Sequence, residues 1–178
     1  MLFYPRRLTL YETSESRKAF GNNLNYEKIR IFEDSKLPNY IDDLGRLIKK
    51  MPKRGEHVDN AITLGNWCLF GREIEPSKAV DMNWLIHELT HVWQFQTMGW
   101  VYIFKALDAQ KKLGAQVYDF GGEEGLKKHI KNGSLFKDFN LEQQGDIMKT
   151  YYEKLCKGED TKTWEVLIKQ MDKSYTKR

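Results

Sequence analysis

"WLIHELTHVWQ", residues 84–94, is the stretch from which the rest of this sequence is best read. His87 and His91 are four positions apart. On an α-helix that spacing puts both imidazoles on one face about one turn apart, where they can address a single ion. Glu88 is offset by one position, so its carboxylate can reach a water on that ion without ligating the ion itself. Leu85, Leu89, Val92 and Phe95 form a second, apolar stripe that can anchor the same helix in a core. Asp81 is the expected N-cap of this helix, and Gly99 marks its expected end.

Two histidines and an adjacent glutamate in this arrangement carry the chemistry of a zinc hydrolase. The ion acidifies a water and polarises a carbonyl, while the glutamate takes the proton as general base and returns it as general acid. Zn²⁺ is therefore the expected cofactor and Glu88 the expected catalytic residue. The competing reading is a pair of structural histidines satisfied by core hydrogen bonds. A zinc site needs a third protein ligand. The extended form with a glycine and a third histidine is absent, because Gln94 and Thr97 occupy those positions. His57, His129, Asp108, Asp119 and Asp138 remain available. The best candidate is in "NLEQQGDIMKTYY", which holds the chain's only Glu-x-x-x-Asp. Glu142 can complete the metal set with His87 and His91. Asp146, one turn further along the same predicted helix, can accept the second ring N–H of a ligating histidine.

The remaining chain frames this helix. Thr9 and Glu12 have the spacing of a capping box and Gly21 is a natural stop, so a helix is expected over 10–20. Alternation around Ile29 and Ile31 predicts a strand near 28–33. Ile41, Leu44, Leu47 and Ile48 predict a helix over 39–51. "AITLGNWCLFG" reads as a hairpin with strands at 61–64 and 67–70. Further helices are expected over 103–113, 123–131 and 141–156, with a last one starting near 161. Trp84, Trp93, Phe95 and Trp100 are expected in the core. Gln94 and Gln96 are left between lining a cleft and facing solvent. The expected architecture is a mainly helical α+β fold, one domain over 1–178, with a small sheet just before the central helix.

Composition bounds what this domain does. The net charge of +4 comes from 29 basic and 25 acidic side chains spread along the chain, with only short excesses such as "KKMPKR" at 49–54. A nucleic-acid binder concentrates its charge, so no nucleic-acid partner is expected. Two cysteines give no disulfide framework. The N-terminus lacks an apolar signal region, and no run approaches the roughly 18 apolar residues of a membrane span. The expected location is the cytoplasm as synthesised, with any export depending on other machinery.

His-Glu-x-x-His followed by Glu-x-x-x-Asp resembles the gluzincin branch of the zincin metallopeptidases, whose third ligand is that glutamate. A closer resemblance covers most of the chain. "RRLTLYETSESRKAFGNNLNYEKIRIFED", "AITLGNWCLFG", "HELTHVWQFQ", "YDF" and "FNLEQQGDI" are similar, in this order, to small bacterial Vgr-related proteins and to zincin-like domains found beside contractile injection systems and Rhs elements. The gluzincin resemblance implies a peptide or protein substrate, while this closer one implies a zincin-like fold and association with a secretion-system spike or Rhs-type protein. It also implies delivery by such a system, either as a zinc metallopeptidase effector or as an adaptor without turnover. Tyr118, in "VYDF", is left between stabilising the oxyanion, as tyrosines do in related enzymes, and packing in its aromatic run. Related folds bind substrate along an edge strand, and 67–70 is the segment expected to be that edge.

Overall fold

The computed structural model describes residues 4–41, 60–101 and 119–171. Helix α1 spans Leu10–Phe20 and begins as its sequence dictates. The Thr9 hydroxyl accepts from the Glu12 amide, and the Glu12 carboxylate accepts from the Thr9 amide at 2.7 Å. Gly21, at a φ of 55°, ends it. The Arg6 guanidinium grips both Glu12 and Glu33 through pairs of hydrogen bonds of 2.8–2.9 Å, tying this helix start to the end of the first strand.

Three short strands form one sheet: β1 (Arg30–Phe32), β2 (Ala61–Leu64) and β3 (Trp67–Phe70). The hairpin forms where its sequence places it, with β2 antiparallel to β3 and Leu64 opposite Trp67. β1 adds to the far side of β3, parallel, so the order is β1-β3-β2. Segment 67–70 is thus the central strand and not an edge, which corrects the expectation. The reason is visible in its burial: Cys68, Leu69 and Phe70 are consecutively buried, as suits a strand covered on both faces. Among the described residues β2 is the edge, since the outer side of β1 is bridged by Arg6 at Ile31.

Helix α2 spans Ala79–Met98 and lies between the sheet and helix α4 (Leu141–Lys157), its most extensive neighbour. Leu85, Ile86, Leu89, Val92 and Trp93 are fully buried along it. Each such side chain stabilises the fold by about 1.5–3 kcal/mol relative to exposure. The helix starts three residues earlier than expected, with Lys78 at the N-cap. Asp81 does not cap it. Its carboxylate is taken by the Arg72 guanidinium and by the Glu75 amide at 2.8 Å, which outcompete the helix's own amides.

Asn140 caps α4 by accepting from the amides of Glu142 and Gln143, and Gln143 reciprocates on the Asn140 amide. Helix α3 (Gly122–Lys131) and helix α5 (Lys162–Ile168) pack together, with Leu126, Trp164 and Leu167 buried. The result is mainly helical with a small three-stranded sheet. Trp93 is core, and Trp84 meets the Phe70 ring edge-on at 4.9 Å. Trp100 departs from expectation: it is 59% exposed, resting against Phe95. The helix expected over 103–113 lies outside the described residues. So does most of that expected over 39–51, of which residues 39–41 are described and helical, as are 37 and 38 before them. No described helix is long and apolar enough to cross a membrane.

Candidate metal centre

Packing α2 against α4 brings His87, His91 and Glu142 together. His87 Nε2 lies 3.2 Å from His91 Nε2 and 3.3 Å from Glu142 Oε2, and His91 Nε2 lies 3.4 Å from the same oxygen. These separations test the fit of a metal. Three ligand atoms bound tetrahedrally to zinc at about 2.0–2.1 Å stand about 3.3 Å apart. The triangle matches that geometry, and one imidazole–imidazole–carboxylate set is a donor combination that zinc accepts. The three side chains keep 12%, 10% and 18% of their exposure, so the cluster is sunk in the protein without being sealed.

Each histidine is also held from behind. Asp146 Oδ1 accepts from His87 Nδ1 at 3.2 Å and from Lys149 Nζ at 2.7 Å. His91 Nδ1 donates to Gln94 Oε1 at 2.8 Å. Both Nε2 atoms therefore face the centre. Gln94 neither lines a cleft nor faces solvent. It is fully buried and bonds the Leu141 carbonyl and Gln144 Oε1 on α4.

Glu88, next to His87 in the chain, is tied to the sheet. The Thr63 hydroxyl of β2 donates to its Oε2 at 2.7 Å. The carboxylate is nearly buried, at 5% residue exposure, and Thr63 is its one hydrogen-bond partner among the described residues.

The electrostatics favour positive charge at the centre. Burial opposes a charged His87, but Asp146, Glu142 and Glu88 outweigh it and raise its pKa to about 10. Burial likewise opposes charge on His91, and Glu142 reverses that, moving it up. Against the effect of their own burial, the imidazoles hold Glu142 well below the usual carboxylate range, and His87 and Lys149 lower Asp146. A divalent cation answers the same field, since it uses the lone pairs that protons would otherwise take.

Gly145 makes the arrangement possible. A Cβ at this position would stand 2.6 Å from His87 Cε1 and 2.8 Å from its Nδ1, so only glycine lets the imidazole lie against α4. The roles of Gly145, Gln94 and Thr63 are not legible in the sequence. A glycine inside a helix costs about 1 kcal/mol against alanine, and that cost was the one signal available for Gly145.

The other candidate ligands that are described do different work. His129 is exposed against the Phe139 ring, Asp138 accepts from the Leu135 amide, and Asp119 accepts from the Gly121 amide. His57, Asp108 and Tyr118 lie outside the described residues. A polar trough of about 860 Å³ runs between residues 22–28 and the last turn of α2, remote in composition from this chemistry. There Asn25, Asn66 and Gln96 satisfy one another.

No family model matches the chain. In sequence it is similar to the type VI secretion system spike protein VgrG2b of Pseudomonas aeruginosa, at 26% identity over 147 residues. The match covers 83% of this chain but 13% of that protein's length. In structure it resembles the effector domain of Pseudomonas aeruginosa VgrG2b, with a TM-score of 0.52 and 19% identity. That superposition covers 92% of this chain and 81% of the other, so the two share a fold.

Proposed function

We propose that the chain is a zinc-dependent metallopeptidase of gluzincin type, a single zincin-like domain that hydrolyses peptide bonds. The observation that carries this reading is the triangle of His87 Nε2, His91 Nε2 and Glu142 Oε2, with sides of 3.2, 3.3 and 3.4 Å. Bound there, Zn²⁺ supplies a Lewis acid that acidifies water and polarises a scissile carbonyl. His87, His91 and Glu142 hold it, and Asp146 orients His87. Glu88 takes the proton of the attacking water and delivers it to the leaving amine, with Oε2 steadied by Thr63 so that Oε1 is the working atom. Edge strand β2 lies beside Glu88 and offers an extended peptide a place to add alongside the sheet.

Similarity to VgrG2b and to its effector domain supports a role as an effector carried by a type VI-like secretion system. In that role the chain is made in the cytoplasm and engages a spike or Rhs-type protein for delivery. A buried Glu88 braced by a hydrogen bond favours hydrolysis over an adaptor role, because a docking module has no use for a poised base.

The test is cleavage of a mixed-sequence peptide library, read by mass spectrometry. Cleavage is expected to vanish with a chelator and return with zinc. Stoichiometric zinc without cleavage of any peptide would favour the adaptor instead.

A further inference from the structure

We propose that Gln94 is a positioning residue for His91: its side-chain oxygen fixes the proton on His91 Nδ1 and so aims the Nε2 lone pair at the metal centre. The proposal rests on the zinc reading above and adds to it a residue that belongs to neither the ligands nor the base.

The direction of every hydrogen bond in the supporting chain is determined. Gln144 Nε2 lies 2.9 Å from the Phe139 carbonyl and 3.2 Å from that of Phe136. Carbonyl oxygens only accept, so the amide nitrogen of Gln144 must face them and its oxygen must face away. That oxygen accepts from Gln94 Nε2 at 3.0 Å, and the other hydrogen of Gln94 Nε2 goes to the Leu141 carbonyl at 2.9 Å. Both amide hydrogens of Gln94 are then used. Its Oε1, at 2.8 Å from His91 Nδ1, can only accept. The ring proton must therefore sit on Nδ1. Polarity passes from two backbone carbonyls before α4 to one imidazole, with no freely rotating hydroxyl anywhere in the path.

Burial enforces this order. Gln94 and Gln144 are 0% and 1% exposed, so water does not offer alternative partners. Flipping either amide would set donors against donors and oxygens against oxygens, at a cost of about 1–3 kcal/mol for each buried group left unsatisfied. The choice of a neutral amide also fits its surroundings. Glu88, Glu142 and Asp146 already bring three carboxylates to the two histidines, and Asp146 shares its charge with Lys149. An amide steers His91 without adding a fourth negative charge. Because Leu141 and Gln144 flank Glu142 on α4, the same bonds set that ligand's helix turn against α2.

Metal-free wild type, Gln94→Met and Gln144→Met are titrated with Zn²⁺ against a chromophoric chelator, with far-UV circular dichroism and thermal melting as controls. Methionine keeps the shape of glutamine and removes the strong acceptor. Gln94→Met is expected to bind zinc about 10–100-fold more weakly. Gln144→Met also breaks the buried chain but leaves the Leu141 carbonyl to orient Gln94, so its affinity should fall by less than about tenfold. Both should melt below wild type, which separates steering of His91 from a general loss of packing. Wild-type affinity in Gln94→Met, or equal losses in the two variants, overturns the proposal. If Gln94→Met does not fold, Gln94→Asn replaces it, drawing the oxygen back by one methylene, with the same outcomes. A wild type that takes up no zinc overturns the metal-centre reading itself, and with it this proposal.

Discussion

Thr63 on the edge strand and Glu88 on the central helix are joined by a 2.7 Å hydrogen bond from hydroxyl to carboxylate. This bond links the sheet to the chemistry. The residue that would move the proton is braced by the strand along which a substrate would lie, so the position of an incoming peptide and the position of the base are set by one element. It also gives this nearly buried carboxylate a donor, where a buried acceptor left unpaired would cost about 1–3 kcal/mol.

Replacing Glu88 with glutamine keeps the side chain's shape and an oxygen for Thr63, but removes the base. Zinc content is expected to match wild type, and kcat to fall by about 10²–10⁴-fold, the usual contribution of a positioned general base. Metal analysis beside peptide cleavage measures both. A variant that cleaves as fast as its parent would remove Glu88 from the mechanism.

Glu142→Ala leaves the triangle with two imidazoles and no carboxylate corner. Loss of an outer-shell partner typically costs zinc sites about 10–100-fold in affinity, and loss of a direct ligand should exceed that. Zinc retained after gel filtration in the wild type should therefore be lost from this variant. Unchanged zinc content would break the gluzincin assignment while leaving the His87–His91 pair intact.

Asp81 supplies a dependence on pH that is separate from the centre. The hydrogen bond from Arg72 holds its carboxyl below the usual value, against the effect of burial and with help from the Glu75 amide. A depressed folded-state pKa contributes stability that is fully present above the unfolded value, about 3.9, and is lost as pH falls through the folded one. Asp81→Asn should lower stability at neutral pH by about 1.5–3 kcal/mol, the worth of a hydrogen bond to a charged group. It should also shrink the loss of stability below about pH 4. Urea denaturation at pH 7 and at pH 3 tests this: a mutational difference as large at pH 3 as at pH 7 would rule out the ion pair as its source.

The candidate ligands are legible in the sequence because they obey local rules. His87 and His91 announce themselves by a spacing of one helical turn, Glu142 by its distance from Asp146, and α1 by the capping box of Thr9 and Glu12. The order of the strands was not legible, since β1 joins β3 across a long stretch of sequence and no local signal records which side it takes. Only the unbroken burial of Cys68, Leu69 and Phe70 hints that β3 is central. Gln94 looked like a surface residue because nothing near it in sequence reveals that Leu141 and Gln144 will meet its amide. Asp81 looked like an N-cap because its competitor, Arg72, belongs to the preceding loop.

Gly145 offers the sharpest test of how the two helices fit. Its backbone is helical, so alanine would ordinarily favour the helix by about 1 kcal/mol. Here the added methyl would stand 2.6–3.0 Å from three atoms of the His87 ring, closer than carbon atoms pack. The imidazole must then tilt away from α4, lengthening its bond to Asp146 and turning Nε2 off the centre. Gly145→Ala is expected to keep its helical circular dichroism while binding zinc about 10–100-fold more weakly, the range for losing a ligand's orienting partner. A chelator competition on the folded variant measures this. Wild-type zinc affinity would mean that His87 reaches the ion from some other position, and that the close approach of α2 to α4 at this point is not what sets the site.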